Sequence, residues 1–137
     1  MTARTRPCND ALTAGRLRKA EQFLDAAETI REFADDEYEV GDAYVTLCVH
    51  AGIAAADVIC CIALGVHALG EDNNEALALL EKTRPDGAEL AKSLRALLSM
   101  KTRAGYSARP VAAEDRKRAQ RQTERLVRAA RDRSMSE

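Results

Sequence analysis

The chain has 137 residues with 21 Lys/Arg against 22 Asp/Glu, a balance that excludes a dedicated duplex-DNA binder, which needs several uncompensated cations on one face. It has no Trp, two Phe and three Tyr, while Ala, Leu, Arg and Glu are abundant, so a single all-α domain with one core is expected. Residues 111–137 hold 8 basic against 5 acidic residues and residues 1–110 hold 13 against 17, so the C-terminal segment is the basic one and any nucleic-acid role would be local.

Residues 1–8 are expected to form a disordered tail, residues 9–133 one helical domain, and residues 134–137 a second tail. Residues 1–19 carry four Arg and one Lys among polar residues, with no apolar run of the signal-peptide kind, which leads to the expectation of a cytoplasmic protein. Cys8, Cys48, Cys60 and Cys61 lack the spacing of a zinc knuckle or a disulfide framework and are expected as reduced core residues.

The first helix is predicted over residues 10–34, capped by Asn9 or Asp10. Ala20, Phe23, Ala27, Ile30 and Ala34 recur at steps of three and four and define its buried stripe. Asp35, Asp36 and Glu37 are unfavourable at the negative end of a helix dipole and predict a stop. The second helix is predicted from Asp42 to Ala68 and is apolar nearly all round. Its length raises the question of a membrane span, but Asp57 lies at its middle, where a carboxylate costs about 2.5–3.5 kcal/mol on insertion scales. The central helix of a bundle, with no membrane contact, is the expected reading.

Gly70 and the following EDNN predict a turn, and Asn73 or Asn74 caps a short third helix with Ala76, Leu77 and Leu80. Pro85 breaks the chain before a fourth helix over residues 88–104, which buries Leu90, Leu94, Leu97, Leu98 and the stem of Lys101. Gly105 is suited to the left-handed position after that helix. The fifth helix follows Pro110 and runs to Arg133, with Ala112, Ala119, Leu126 and Ala130 on its apolar side. Lys117, Arg118, Arg121, Arg125 and Arg128 share another face, which is either a contact surface or a solvated face paired by Glu114–Arg118, Glu124–Arg128 and Arg128–Asp132 at four-residue spacing. The fold class is therefore all-α, an up-and-down helical bundle of about five helices.

Asp57 and His50 are the polar groups that this pattern buries. They stand seven residues apart on one face, about 10.5 Å along the axis. A buried carboxylate needs a donor from another element, and Lys101, Arg103 and the Tyr106 hydroxyl are the expected candidates. His50, Asp57 and Cys61 span three turns, too far for one ion, so neither a metal nor a cofactor is expected.

The order of these helices, with DAYVTLCVHAGIAAADVICC opening the central one and LRALLSMKTRAGYSARPVAAEDRKRAQRQTERLV closing the domain, resembles the HEPN superfamily of prokaryotic toxin and defence systems. The resemblance implies a homodimer and a site region at the end of the fourth helix. Active members are metal-independent ribonucleases with an Arg, a His about four to six residues later, and often a Tyr two residues after the His. Tyr106 matches the tyrosine, while Ala104 stands at the histidine position. Without an imidazole there, the expectation is a non-catalytic module that binds RNA, a nucleotide or a protein partner such as a cognate antitoxin, through Lys101, Arg103, Tyr106 and Arg109 with His50 and Asp57. Two alternatives stand beside it: a ribonuclease toxin acting through Arg103 and Tyr106, and a structural dimerisation protein.

Overall fold

A computed structural model describes residues 4–69 and 73–136. The all-α expectation holds: five helices of nine residues or more account for most of the chain, with one small two-stranded sheet among the described residues. Strand β1 (Thr5–Pro7) leads into α1 (Asp10–Phe33), and a 3₁₀ turn (Glu37–Val40) leads into α2 (Gly41–Leu64). Strand β2 (Val66–Ala68) pairs antiparallel with β1, matching Thr5 with Ala68, Arg6 with His67 and Pro7 with Val66. Helices α3 (Asn73–Glu81), α4 (Gly87–Leu98), the single-turn α5 (Lys101–Gly105) and α6 (Ala113–Ser136) follow.

The local chemistry accounts for most helix boundaries. Asn9 is the cap of α1, its side chain accepting from the Leu12 amide at 2.7 Å. The acidic cluster after α1 stops it as expected, and Asp36 then caps the 3₁₀ turn through the Tyr38 amide at 3.0 Å. Helix α2 stops at Leu64 rather than at Ala68. Gly65 takes the left-handed conformation at φ 75°, its amide closing on the Cys61 carbonyl, and the chain leaves as β2. The expected fourth helix divides into α4 and α5. Gly105 is the last residue of α5 rather than a left-handed terminator. The turn expected at Gly70 lies outside the described residues.

Helix α2 is the axis of the molecule, packed by α1 on one side and α6 on the other, with α4 and α5 completing the enclosure. Fourteen of its residues are buried, from Gly41 to Cys61. It is long and apolar enough to cross a membrane, and the bundle encloses most of that surface instead. The approach is closest at Gly52, where an added Cβ would stand 2.4 Å from Leu97 Cδ1 and 3.3 Å from Leu126 Cδ1, so that α4 and α6 reach α2 only because position 52 lacks a side chain. Two long-range hydrogen bonds fix the register of the C-terminal half on α2. Thr123 Oγ1 donates to the Cys48 carbonyl at 2.9 Å in the core, and the Val111 amide donates to Asp42 Oδ1 at 2.9 Å.

Both ends depart from the expected tails. Residues 5–7 form β1, and α6 continues to Ser136. Cys8 is joined to Cys61 by a disulfide with the Cα atoms 5.6 Å apart, which corrects the expectation that all four cysteines are reduced; Cys48 and Cys60 are free and buried. The signal was hidden because the pairing spans 53 residues and depends on a strand that exists only once β2 is there to receive it.

Candidate functional site

Three of the sequence-derived site residues meet in one place. A recess of about 150 Å³ opens between α2 and α5, lined by Thr46, Val49 and His50 from α2, by Lys101 and Gly105 from α5, and by Tyr106 just beyond it. Tyr106 is 80 % exposed and Lys101 half-buried. His50, expected to be buried, is exposed because its face of α2 is left open by the other helices, and its ring packs against Phe23 of α1 with the ring centroids 5.5 Å apart. An added Cβ at Gly105 would meet nothing within 4 Å, so the glycine leaves open space where most residues would place a side chain. The segment that carries Tyr106 is held at both ends. Its amide donates to the Thr102 carbonyl at 2.8 Å, and the Val111–Asp42 bond ties the following loop to the start of α2.

The recess combines an ammonium, an imidazole and a phenol beside Thr46 and Val49. An ammonium attracts a phosphate, an exposed phenol ring offers a stacking face, and imidazole exchanges protons near neutral pH.

The other expected site residues lie elsewhere. Arg103 lines a separate recess with Ser99, Met100, Asp115 and Arg118. Arg109 is exposed on the loop between α5 and α6, where its amide donates to Ser107 Oγ at 3.1 Å. Asp57 takes its cation from α1 and not from Lys101, Arg103 or Tyr106: Arg16 Nε and Nη2 approach Asp57 Oδ2 at 3.0 and 2.9 Å. Burial nevertheless pushes the Asp57 carboxyl above its usual range, against the opposing pull of Arg16 and, more weakly, His67. This is a clamp between α1 and α2 rather than the floor of the recess.

The basic face of α6 is exposed as expected, but its neighbours divide it. Lys117 borders a recess with Arg31, Tyr44 and Arg116; Arg118 faces Arg103; Arg121, Arg125 and Arg128 line a groove of about 580 Å³ with Asp86, Glu89, Glu124 and Asp132. None of the expected four-residue ion pairs forms. Lys117 instead approaches Glu114 at 3.9 Å, and Arg131 reaches Glu21 of α1 at 3.1 Å.

Sequence reasoning missed one polar network. The buried Tyr44 hydroxyl donates to Glu28 Oε1 at 3.1 Å, and Glu28 also accepts from Arg31. Burial raises the Tyr44 pKa, and the hydrogen bond to Glu28 raises that of Arg31. The three-residue spacing of Glu28 and Arg31 was visible in the sequence, while the arrival of Tyr44 from α2 was not. Among the described residues, no group of three or more His, Cys, Asp or Glu side chains is placed to hold a metal ion. Comparison with family models gives no match to the chain, and comparison with curated proteins gives none either.

Proposed function

We propose that the chain is a HEPN-like binding module that holds a phosphate-bearing ligand, RNA or a nucleotide, in the recess between α2 and α5, in a toxin-antitoxin or defence-like setting. The observation that carries the reading is the convergence of His50, Lys101 and Tyr106 on one opening, although His50 lies more than fifty residues from the other two. Lys101 attracts the phosphate, Tyr106 stacks on a base, and His50 borders the same space. A homodimer fits this arrangement. The α2 face bearing Ala43, Leu47, His50 and Ile53 is incompletely covered by its own chain and lies beside the recess, so a second copy would border the ligand.

The test is fluorescence-anisotropy titration with a labelled single-stranded RNA at several salt concentrations, alongside sedimentation of the free protein. Affinity is expected to fall with salt and to weaken in Lys101→Ala and Tyr106→Ala with no change in thermal stability. Salt-independent binding, or binding equal to the parent in both variants, removes this recess from consideration.

One observation favours the ribonuclease as the second reading. Ala104 deprives α5 of an imidazole, yet His50 brings one to the same recess from α2. An imidazole there could take the 2′-hydroxyl proton of a bound ribonucleotide, with Lys101 beside the phosphate. Arg103, in its separate recess, has no part in this arrangement within one subunit. RNA cleavage in EDTA that disappears in His50→Ala would favour the enzyme, and binding without cleavage the module.

A further inference from the structure

We propose that Cys8 and Cys61 form a reversible thiol–disulfide site, a covalent latch that holds the N-terminal strap, residues 4–9, on the bundle and releases it on reduction. The proposal is independent of the recess and of its ligand.

The reason lies in how little else holds the strap. Thr5, Arg6 and Pro7 are all exposed, so β1 buries almost nothing. Its sheet has two strands of three residues, and an isolated pair of that size is marginal in water. Flanking the ladder are the Cys8 amide on the Gly65 carbonyl and the Leu69 amide on the Arg4 carbonyl, both at 2.9 Å. The ion pair of Arg4 with Glu75 is long at 3.5 Å, and its Arg4 partner is 71 % exposed; such pairs add little. The covalent bond decides whether the strap stays docked. The bundle keeps its own core without it, since the buried cluster includes no residue of β1.

The two sulfurs differ in access. Cys8 is half-buried and Cys61 is 6 % exposed, so an external thiolate meets Cys8 first. Attack by one thiolate of a dithiol reductant on Cys8 Sγ breaks the Sγ–Sγ bond and forms a mixed disulfide at Cys8. Cys61 leaves as a thiolate and takes up a proton. The second thiol of the reductant, deprotonated, then attacks the reductant's own sulfur in that mixed disulfide, closing the reductant's disulfide and releasing Cys8, which is protonated in turn. Two electrons pass from the dithiol to the protein, and both cysteines end as thiols. A dithiol disulfide of the same chemical class, running the sequence backwards, closes the latch.

The remaining cysteines stay out of this exchange. Burial pushes the thiols of Cys48 and Cys60 up to about 12, so neither supplies a thiolate for internal shuffling near neutral pH. Cys60, adjacent to Cys61 in sequence, is free and buried.

The test uses the full chain prepared without reductant. Alkylation in denaturant is expected to label two cysteines before treatment with dithiothreitol and four after it. Hydrogen exchange read by mass spectrometry or NMR is expected to show the Cys8 and Leu69 amides losing nearly all their protection on reduction, while amides in the middle of α2 stay protected and lose only what the lower global stability of the reduced chain takes from them. Cys8→Ser should exchange like the reduced protein under both conditions. Four labelled cysteines before reduction would overturn the proposal, because no disulfide would exist. Unchanged protection at Leu69 would overturn it by showing that the strap docks unaided. Loss of protection throughout α2 down to the level of the strap would overturn it in favour of a staple without which the bundle does not stay folded.

Discussion

The two ends of α2 treat polar groups in opposite ways. Toward its C-terminus, Asp57 is matched by Arg16 and Cys61 is bonded to Cys8, so each group with a strong chemical demand has been given a partner from the N-terminal part of the chain. Two turns earlier, His50 shares an open recess with Lys101 and Tyr106, and among the described residues no ion pair or hydrogen bond engages any of these three side chains. Satisfied groups fix helices against each other. Groups left facing a cavity remain available to a ligand, and this difference is why the recess, and not the Asp57 region, is the better candidate for function.

The largest expected effect tests the closed end. The disulfide closes a loop across 53 residues, and the chain-entropy account assigns such a crosslink about 2–4 kcal/mol after allowance for a loosely held strap. Cys8→Ser, or reduction of the parent, should therefore lower Tm by on the order of 10 °C in calorimetry while leaving the far-ultraviolet helical signal at 25 °C intact. A Tm that ignores reductant would place both ends of α2 on the same footing and remove half of the contrast.

The Arg16–Asp57 clamp comes next. Asp57 has only 16 % of its side chain exposed and Arg16 30 %, so the penalty for an orphaned carboxylate is discounted from that of a fully buried pair to about 1–3 kcal/mol for Arg16→Ala near neutral pH. The sign of the pH dependence follows from burial. Because the folded-state pKa of Asp57 is raised above its unfolded value, folding is favoured by this group below the unfolded pKa, and that contribution is lost as pH rises through the folded one. Removing Arg16 takes away the main opposing influence and raises the folded pKa further. The variant and the parent should converge in acid and diverge as pH climbs, in urea titrations run at a series of pH values. A penalty that stays constant across pH would mean that Arg16 acts through packing alone.

The bundle itself was legible in the sequence because periodicity reports faces. The apolar surround of α2, the stripe of Ala20 and Ala27, the Asn9 cap and the burial of Leu90, Leu94 and Leu97 all followed from three- and four-residue spacing. Spacing does not report which neighbour a face meets. The need of Asp57 for a cation was readable, whereas the choice of Arg16, 41 residues away on α1, over the basic residues near α5 depends on packing. Val66, His67 and Ala68 read as the continuation of an apolar helix, and only the returning β1 makes them a strand. The cations of α6 were correctly exposed, but the approach of α1, α4 and α5 distributes them over three openings. At the recess, Lys101 and Tyr106 were chosen from local chemistry, and their meeting with His50 came from the docking of α5 on α2.

The smallest effect on stability belongs to the open end, and Gly105 offers the sharpest test of it. The glycine is helical, not left-handed, so its backbone makes no demand that only glycine meets, and an added side chain finds no atom within 4 Å. Gly105→Leu should therefore leave unfolding free energy within about 0.5 kcal/mol of the parent, or raise it slightly through better helix propensity. The same side chain would fill much of a recess of about 150 Å³ bordered by His50, Lys101 and Tyr106. A variant that folds as well as the parent but binds single-stranded RNA several-fold more weakly would separate occupation of the recess from the charge of Lys101, because every cation is retained. Undiminished binding with the recess filled would show that the ligand rides on the exposed cations outside it. The contrast between the two ends of α2 would then be one of packing and not of function.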